Sequence, residues 1–360
     1  MPRFEEEIQK AIAENVFPGA ALLVSSRGEI LAREFFGNAT LIPAPEPVTD
    51  KTLFDIASLT KPVATATLML AARRDQKLSL GSPVVRILKD FDGDDKKKIT
   101  IRHLLKHTSG LPAWRPYYEE IAREHPESIG KRECRQFYLG KIFQEPLEVP
   151  VGFQRIYSDL GFMLLGFLLE EFWGGPLDRL FLDHVAQPLE LTNTFFIPDG
   201  TALSPGRFAA TEDSVWRKKL IRGEVHDNNA YALGGVAGHA GLFSTVDDLH
   251  RFLLAIRQGY RQGHPVIPQS LATEALGPRA KLKLGWDTPS EDSQAGQHFS
   301  RQTVGHLGYS GCSFWIDLEK DFHIILLTNR VHPSSKNESI KQFRPKIHDL
   351  IYEELIAPGL

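Results

Sequence analysis

The chain has 360 residues, 42% hydrophobic and 24% charged, enough for two subdomains or one large α/β domain. A formal net charge of −3 gives no electrostatic basis for binding nucleic acid or an anionic membrane surface. Cys134 and Cys312 are the only cysteines, with no metal-type spacing, so neither a disulfide scaffold nor a cysteine metal site is indicated.

The N-terminal residues lack the apolar core of a signal peptide, and no apolar stretch is long enough to span a bilayer. The chain as it stands is expected in the cytoplasm, although a chain trimmed of a leader would read the same. Phe4, Ile8, Ile12 and Val16 recur every four residues, the apolar stripe of a helix. Residues 20–26 and 30–36 flank Arg27-Gly28 as a β-hairpin.

Next comes Ser58-Leu59-Thr60-Lys61, where an apolar run gives way to residues 62–72, which read as a buried helix. A serine opening such a helix has its hydroxyl near the positive end of the helix dipole, and a lysine three residues on lies over it. Pro62 suits the first turn, where its missing N–H costs nothing. Together these features can make a hydroxyl nucleophilic at neutral pH. The competing reading makes Ser58 an N-cap and Lys61 a solvated first-turn residue. A second Ser-x-x-Lys, Ser128-Ile129-Gly130-Lys131, contains a helix-weakening glycine and runs into Arg132-Glu133, so it reads as a loop with no buried helix after it.

Residues 101–107, 133–143, 158–173 and 176–185 are helical by pattern. His103 and His107, four apart on the first of these, have the spacing of a zinc pair. Tyr157-Ser158-Asp159 follows a Pro-Val-Gly turn and precedes an apolar helix, which puts Tyr157 on a loop free to face a cleft. Ser158 or Asp159 is then the helix cap. Gly234, Gly235, Gly238 and Gly241 mark a loop bordering that cleft, and His239 within it reads as structural. Gly305-His306-Leu307-Gly308-Tyr309-Ser310-Gly311 runs into a strand at residues 313–317; its glycines would let substrate approach the backbone. A second strand at 323–328 and a helix opened by Pro345 close the chain.

Both ends thus supply antiparallel strands and a covering helix. The expected fold is α/β (α+β): one antiparallel sheet built from both termini and flanked by helices, with a mostly helical subdomain inserted. The division would be 1–77 with 223–360 against 78–222, with a ligand cleft between them.

Ser58-x-x-Lys61, Tyr157-Ser158-Asp159 and His306-Leu307-Gly308, in that order, resemble the three motifs of the serine β-lactamase and penicillin-binding protein superfamily. The branch holding class C β-lactamases, D-alanyl-D-alanine peptidases and related esterases is the most similar. The stretches 104–112 and 241–249 match it too, and residues 226–235 resemble a penicillin-binding protein 4B-like subgroup. The resemblance implies an acyl-enzyme on Ser58, Lys61 and Tyr157 as proton-handling partners, and an oxyanion hole at the backbone N–H groups of Ser58 and Tyr309. It further implies substrate contacts at Asp159, His306 and Gly308, a small-molecule or short-peptide substrate, and no metal or organic cofactor; the segment holding His103 and His107 becomes structural.

Two positions depart from the family pattern. Asp159 stands where asparagine is common, and a carboxylate there would keep Lys61 charged, shifting the proton acceptor toward Tyr157 with Lys61 lowering its pKa. His306 stands where β-lactamases carry lysine, so it would grip a carboxylate weakly. Esterase or peptidase-type activity is therefore expected over efficient β-lactam hydrolysis. The rivals are a non-catalytic penicillin-binding or regulatory protein keeping the fold, and an α/β-hydrolase elbow at Gly308-Tyr309-Ser310-Gly311-Cys312. The elbow fails because its final glycine is absent and a strand follows.

Overall fold

The computed structural model describes the chain except residues 77, 199–200, 202, 280, 291–292 and 360. The expected subdomain boundary at 77/78 falls partly outside the described residues. The strands are β1 (Gly19–Ser26), β2 (Glu29–Thr40), β3 (Glu46–Pro47), β4 (Phe54–Asp55), β5 (Phe195–Phe196) and β6 (Asp213–Ser214). They continue with β7 (Lys219–Leu220), β8 (Leu242–Ser244), β9 (Thr303–Leu307), β10 (Ser313–Asp317) and β11 (Phe322–Thr328).

Six of them form one antiparallel sheet in the order β3-β2-β1-β11-β10-β9. The two chain ends meet at its centre, where Leu22 pairs with Leu326 and Val24 with Ile324. Strand residues alternate between faces. Ala20, Leu22, Val24, Ile324 and Leu326 therefore face one cluster, with Phe4, Ile8, Phe343 and Ile347 of helices α1 (Arg3–Ala13) and α11 (Ile340–Ile351). Ala21, Leu23, Ile325 and Leu327 face the larger core on the other side.

That core holds α2 (Thr67–Gln76), α3 (Ile101–Leu105), α4 (Tyr117–Glu124), α5 (Arg132–Gln144), α6 (Asp159–Trp173) and α7 (Leu177–Phe181). Beyond α8 (Asn228–Ala232), α9 (Val246–Arg261) and α10 (Gln269–Leu276) pack against each other and join the same core. Residues Leu160 through Leu169 of α6 are all buried, which explains that helix's uniform apolarity. Among the described residues no single helix is long and apolar enough to cross a membrane.

Three expectations need correcting. The C-terminal helix begins at Ile340, and Pro345 lies inside it. Burial of Ile340 and of Phe343, whose ring meets Phe17 edge-on at 5.1 Å, outweighs the hydrogen bond lost at the proline. A buried helix does follow Ser128-x-x-Lys131: α5 starts at Arg132 and buries Cys134, Tyr138 and Ile142. Finally, Ser58 does not open a regular α-helix. It lies in a 3₁₀ turn (Ala57–Leu59), which runs into a π-helical stretch (Lys61–Ala66) before α2 begins.

Candidate active site

The turn that carries Ser58 is held by a buried carboxylate. Asp55, at the end of β4, accepts the Ala57 N–H at 2.8 Å through Oδ1 and the His226 N–H at 2.7 Å through Oδ2. Ala57 adopts φ +47°, a left-handed conformation that alanine takes at a cost. The small three-stranded sheet β4-β8-β5 fixes the approach to this turn. Ser58 emerges partly exposed, and its backbone N–H has no protein acceptor among the described residues.

Lys61 is fully buried beneath it. Its Nζ donates to Ser58 Oγ at 2.9 Å and to the His239 carbonyl at 3.2 Å. Asp159 Oδ1 lies 2.7 Å away, an ion pair whose angle falls outside hydrogen-bond geometry. Burial disfavours the lysine charge, but Asp159 and Tyr157 outweigh it and hold the ammonium above its usual range. A solvated first-turn lysine is thereby ruled out.

Tyr157 arrives on a loop laced to the segment after α3. Ile156 N–H donates to His107 O at 2.8 Å, Ser158 N–H to His107 Nδ1 at 3.0 Å, and Asp159 N–H to Ala113 O at 2.8 Å. Ser158 Oγ donates to Pro112 O and accepts the Gly161 N–H, so Ser158 is the N-cap of α6. Lys61 Nζ sits 4.7 Å from the Tyr157 ring centroid. Burial pushes the phenol above its ordinary pKa; Lys61 lowers it, but by less.

His103 and His107 each have a packing and hydrogen-bonding role. His103 Nδ1 accepts the Thr100 N–H in a capping box, and the His107 ring meets Tyr157 at 4.6 Å and Phe162 at 5.0 Å, tilted by 32° to each. Burial lowers the His107 pKa, with Lys61 adding to the effect. No cluster of metal-binding side chains occurs among the described residues.

The third motif closes the site from the sheet edge. His306 is 2% exposed, and its Nδ1 lies 2.8 Å from Leu307 O. A carbonyl only accepts, so Nδ1 carries the hydrogen of the neutral ring. Burial, with Lys61 and Arg155 nearby, lowers the His306 pKa despite Asp287. It does not line the cleft, so the expected weak carboxylate grip finds no support in its placement. Gly308 packs tightly against the turn that carries Ser58. A Cβ there would stand 2.7 Å from Ile56 O, so the glycine admits the Ala57-Ser58 turn. Tyr309 is 56% exposed, and its N–H has no protein acceptor among the described residues. Its turn is held from α11 by buried Arg344, which donates to the carbonyls of Gly308, Gly311 and Cys312.

A cleft of about 520 Å³ joins these parts, with Ser58, Tyr157, Asp159 and Tyr309 in its lining. Its far wall was not legible as a site from the sequence. His226 pairs with Glu212, Asp227 with His239, and the Asn229 side chain ties α4 and α5 through Tyr118 N and Tyr138 Oη. The sequence signals for this wall were the glycine loop around His239 and the run 226–235, legible as a resemblance without roles.

Comparison with known proteins settles the family. The profile described as Beta-lactamase matches residues 4–346. The chain belongs to the β-lactamase family. It is 34% identical over 366 residues to a Bacillus subtilis (strain 168) protein named N-acetylmuramyl-L-alanine amidase, covering 92% of this chain and 81% of that one. Among solved structures it resembles EstCE1, described as a hydrolase with promiscuous acyltransferase activity (TM-score 0.74, 23% identity, 97% of both chains). It also resembles a class C β-lactamase (TM-score 0.74, 20% identity, 98% and 95% covered). These two likenesses concern the fold. As a member of this β-lactamase family the chain is a serine hydrolase, and the non-catalytic alternative is not favoured.

Proposed function

We propose that Ser58 is the nucleophile of an acyl-transfer site that hydrolyses an ester or amide through a covalent acyl-enzyme. The observation that carries this reading is the 2.9 Å contact of buried Lys61 Nζ with Ser58 Oγ at the floor of an open cleft. Lys61 has Ser58, the His239 carbonyl and Asp159 around its ammonium, so it acts as a fixed positive charge rather than a base. The Ser58 proton passes to Tyr157 in its minor phenolate form, which the ammonium makes accessible. Ser58 Oγ then bonds to the substrate carbonyl carbon, and the oxyanion is met by the N–H groups of Ser58 and Tyr309. The tyrosine returns the proton to the departing alcohol or amine, and water repeats the sequence to release the acid.

Asp159 serves this scheme by keeping Lys61 charged, while His306 and Gly308 shape the sheet edge. We read the chain as two units, 1–77 with 223–360 and 78–222, flanking the cleft. Simple esters and peptide-type amides are the substrates we favour over β-lactams, and the amidase name of the Bacillus relative agrees with amide substrates. The test is covalent labelling by a fluorophosphonate probe followed by peptide mapping. Label on Ser58, lost together with p-nitrophenyl ester turnover in Ser58→Ala, is expected. Full turnover by that variant would eliminate the scheme.

A further inference from the structure

The walls of the cleft carry a charge pattern that the acyl-transfer chemistry does not require. Asp159, Glu212 and Asp227 line it, and no lysine or arginine does among the described residues. Guanidinium groups that bond to lining residues are spent on backbone carbonyls and side-chain acceptors. Arg217 donates to the carbonyls of Val225 and His226 and to Asn228 Oδ1, and Arg330 donates to the Tyr309, Ser335 and Asn337 carbonyls.

The three carboxylates are not equivalent. Both oxygens of Glu212 are engaged, one by Ser335 and one by His226. Asp159 is neutralised by Lys61. Asp227 uses only Oδ1, which accepts the Ala230 N–H at 2.7 Å and faces His239 Nε2 at 3.0 Å. Its Oδ2 has no partner among the described residues, while its side chain is 27% exposed. Burial opposes the Asp227 charge, but His239 and the Ala230 N–H hold the carboxyl well below its usual range.

Beside it, His239 is 1% exposed, lines the cleft, and has an Nδ1 with no hydrogen-bond partner. The aromatic faces of Trp114 and Tyr118, 6.4 Å apart, line the same cleft, and Trp114 is 43% exposed. Such faces attract a cation brought within about 6 Å.

We propose that this cleft selects substrates bearing a protonated amine, which seats against the open oxygen of Asp227 beside the faces of Trp114 and Tyr118. The inference rests on the acyl-transfer reading, since it takes the cleft as the place where the acyl group lies. A carboxylate-bearing substrate is disfavoured by the same wall, through repulsion rather than through a missing grip.

The test compares three p-nitrophenyl esters on the wild-type enzyme at pH 7: the 6-aminohexanoate, the heptanoate and the adipate monoester. The cationic ester should exceed the neutral one about tenfold in kcat/KM, the ratio carried by 1.4 kcal/mol, and the anionic ester should be the poorest. Raising ionic strength should shrink the preference. In Asp227→Asn, whose amide oxygen can still cap α8, the cationic-to-neutral ratio should fall below about threefold. Equal kcat/KM for the cationic and neutral esters in the wild type, or a ratio unchanged in the variant, overturns the inference while leaving the hydrolase reading intact. Failure of all three esters, with no fluorophosphonate label, would overturn the hydrolase reading itself and the inference with it.

Discussion

Asp159 Oδ1 stands 2.7 Å from the Nζ of Lys61, a side chain that is wholly buried. An isolated ammonium could not be held there charged, because burial alone would drive its pKa down. The carboxylate reverses that, and the outcome is a lysine that stays charged wherever the enzyme works. An asparagine in its place would leave the lysine free to titrate.

Asp159→Asn is therefore expected to change the shape of the pH profile more than its height at neutrality. In the wild type no descending limb from Lys61 should appear below pH 10. In the variant, burial acts with less opposition, the lysine pKa falls, and kcat/KM should decline on the alkaline side as the ammonium is lost. Steady-state kinetics from pH 6 to 10.5 would show this. Superimposable profiles would mean that Asp159 does not govern the charge of Lys61.

The tyrosine gives the opposite slope. Its pKa is raised by burial, so the phenolate fraction is small at neutrality and grows with pH. The wild-type acylation rate should thus climb with pH through the mildly alkaline range, approaching tenfold per unit where this step limits. Tyr157→Phe should cost about 10²–10⁴ in kcat and abolish that slope. A loss below threefold would show that the Ser58 proton goes elsewhere.

The sequence disclosed those parts of the site whose chemistry is local. Ser58 and Lys61 lie three residues apart, so their contact follows from one turn, and Tyr157 is placed by the cap at Ser158. The antiparallel sheet was legible because β10 and β11 are strand-like runs about a short charged turn and both chain ends repeat a strand–helix pattern. What stayed hidden depends on distant pairing. Asp55 reads as a polar break in an apolar run until His226, 171 residues away, is seen to donate to it. His239 reads as a loop histidine and Asp227 only as part of the resembling run 226–235, and only folding puts the His239 carbonyl on Lys61. Pro345 misled for the converse reason: a local helix-breaking rule yielded to burial of Phe343 against Phe17.

Gly308 offers a way to disturb the nucleophile without touching it. An added Cβ would sit 2.7 Å from Ile56 O, closer than atoms tolerate, and a tight 3.2 Å from Leu59 Cδ1, on the two residues that bracket the Ala57-Ser58 turn. Gly308→Ala should lower kcat at least about tenfold by displacing Ser58 from Lys61, as sub-ångström misplacement does in preorganised sites. Fluorophosphonate labelling rate and thermal melting, measured together, separate this from unfolding. A normal labelling rate would show that the turn is not held by this contact.

His107 supports Tyr157 from below, through a ring contact at 4.6 Å and the Ser158 N–H it accepts. His107→Ala leaves that buried N–H without a partner, a loss of about 1–3 kcal/mol before any cavity is counted. Melting should fall by several degrees, and kcat should fall with it as the tyrosine loop loosens. His107→Asn, which can restore an acceptor but not the ring, should recover part of the stability and little of the rate. Equal recovery of both would assign the ring no part in positioning Tyr157.

Glu212 ties the far wall of the cleft together, and its ionisation can be followed through stability. Hydrogen bonding to His226, then to Ser335, outweighs partial burial and lowers its pKa from 4.5 to about 2. Its folded value lies below the unfolded one, so the stabilisation is fully present above about pH 4.5 and is lost as pH falls toward 2. Glu212→Gln removes the charge at every pH, so the variant should be less stable than the wild type at neutrality. The two should converge between pH 4.5 and 2, because the wild-type carboxyl becomes neutral there as well. Chemical denaturation of both proteins across this window gives the difference directly, and a stability gap that stays constant with pH would show that Glu212 does not hold the wall through its charge.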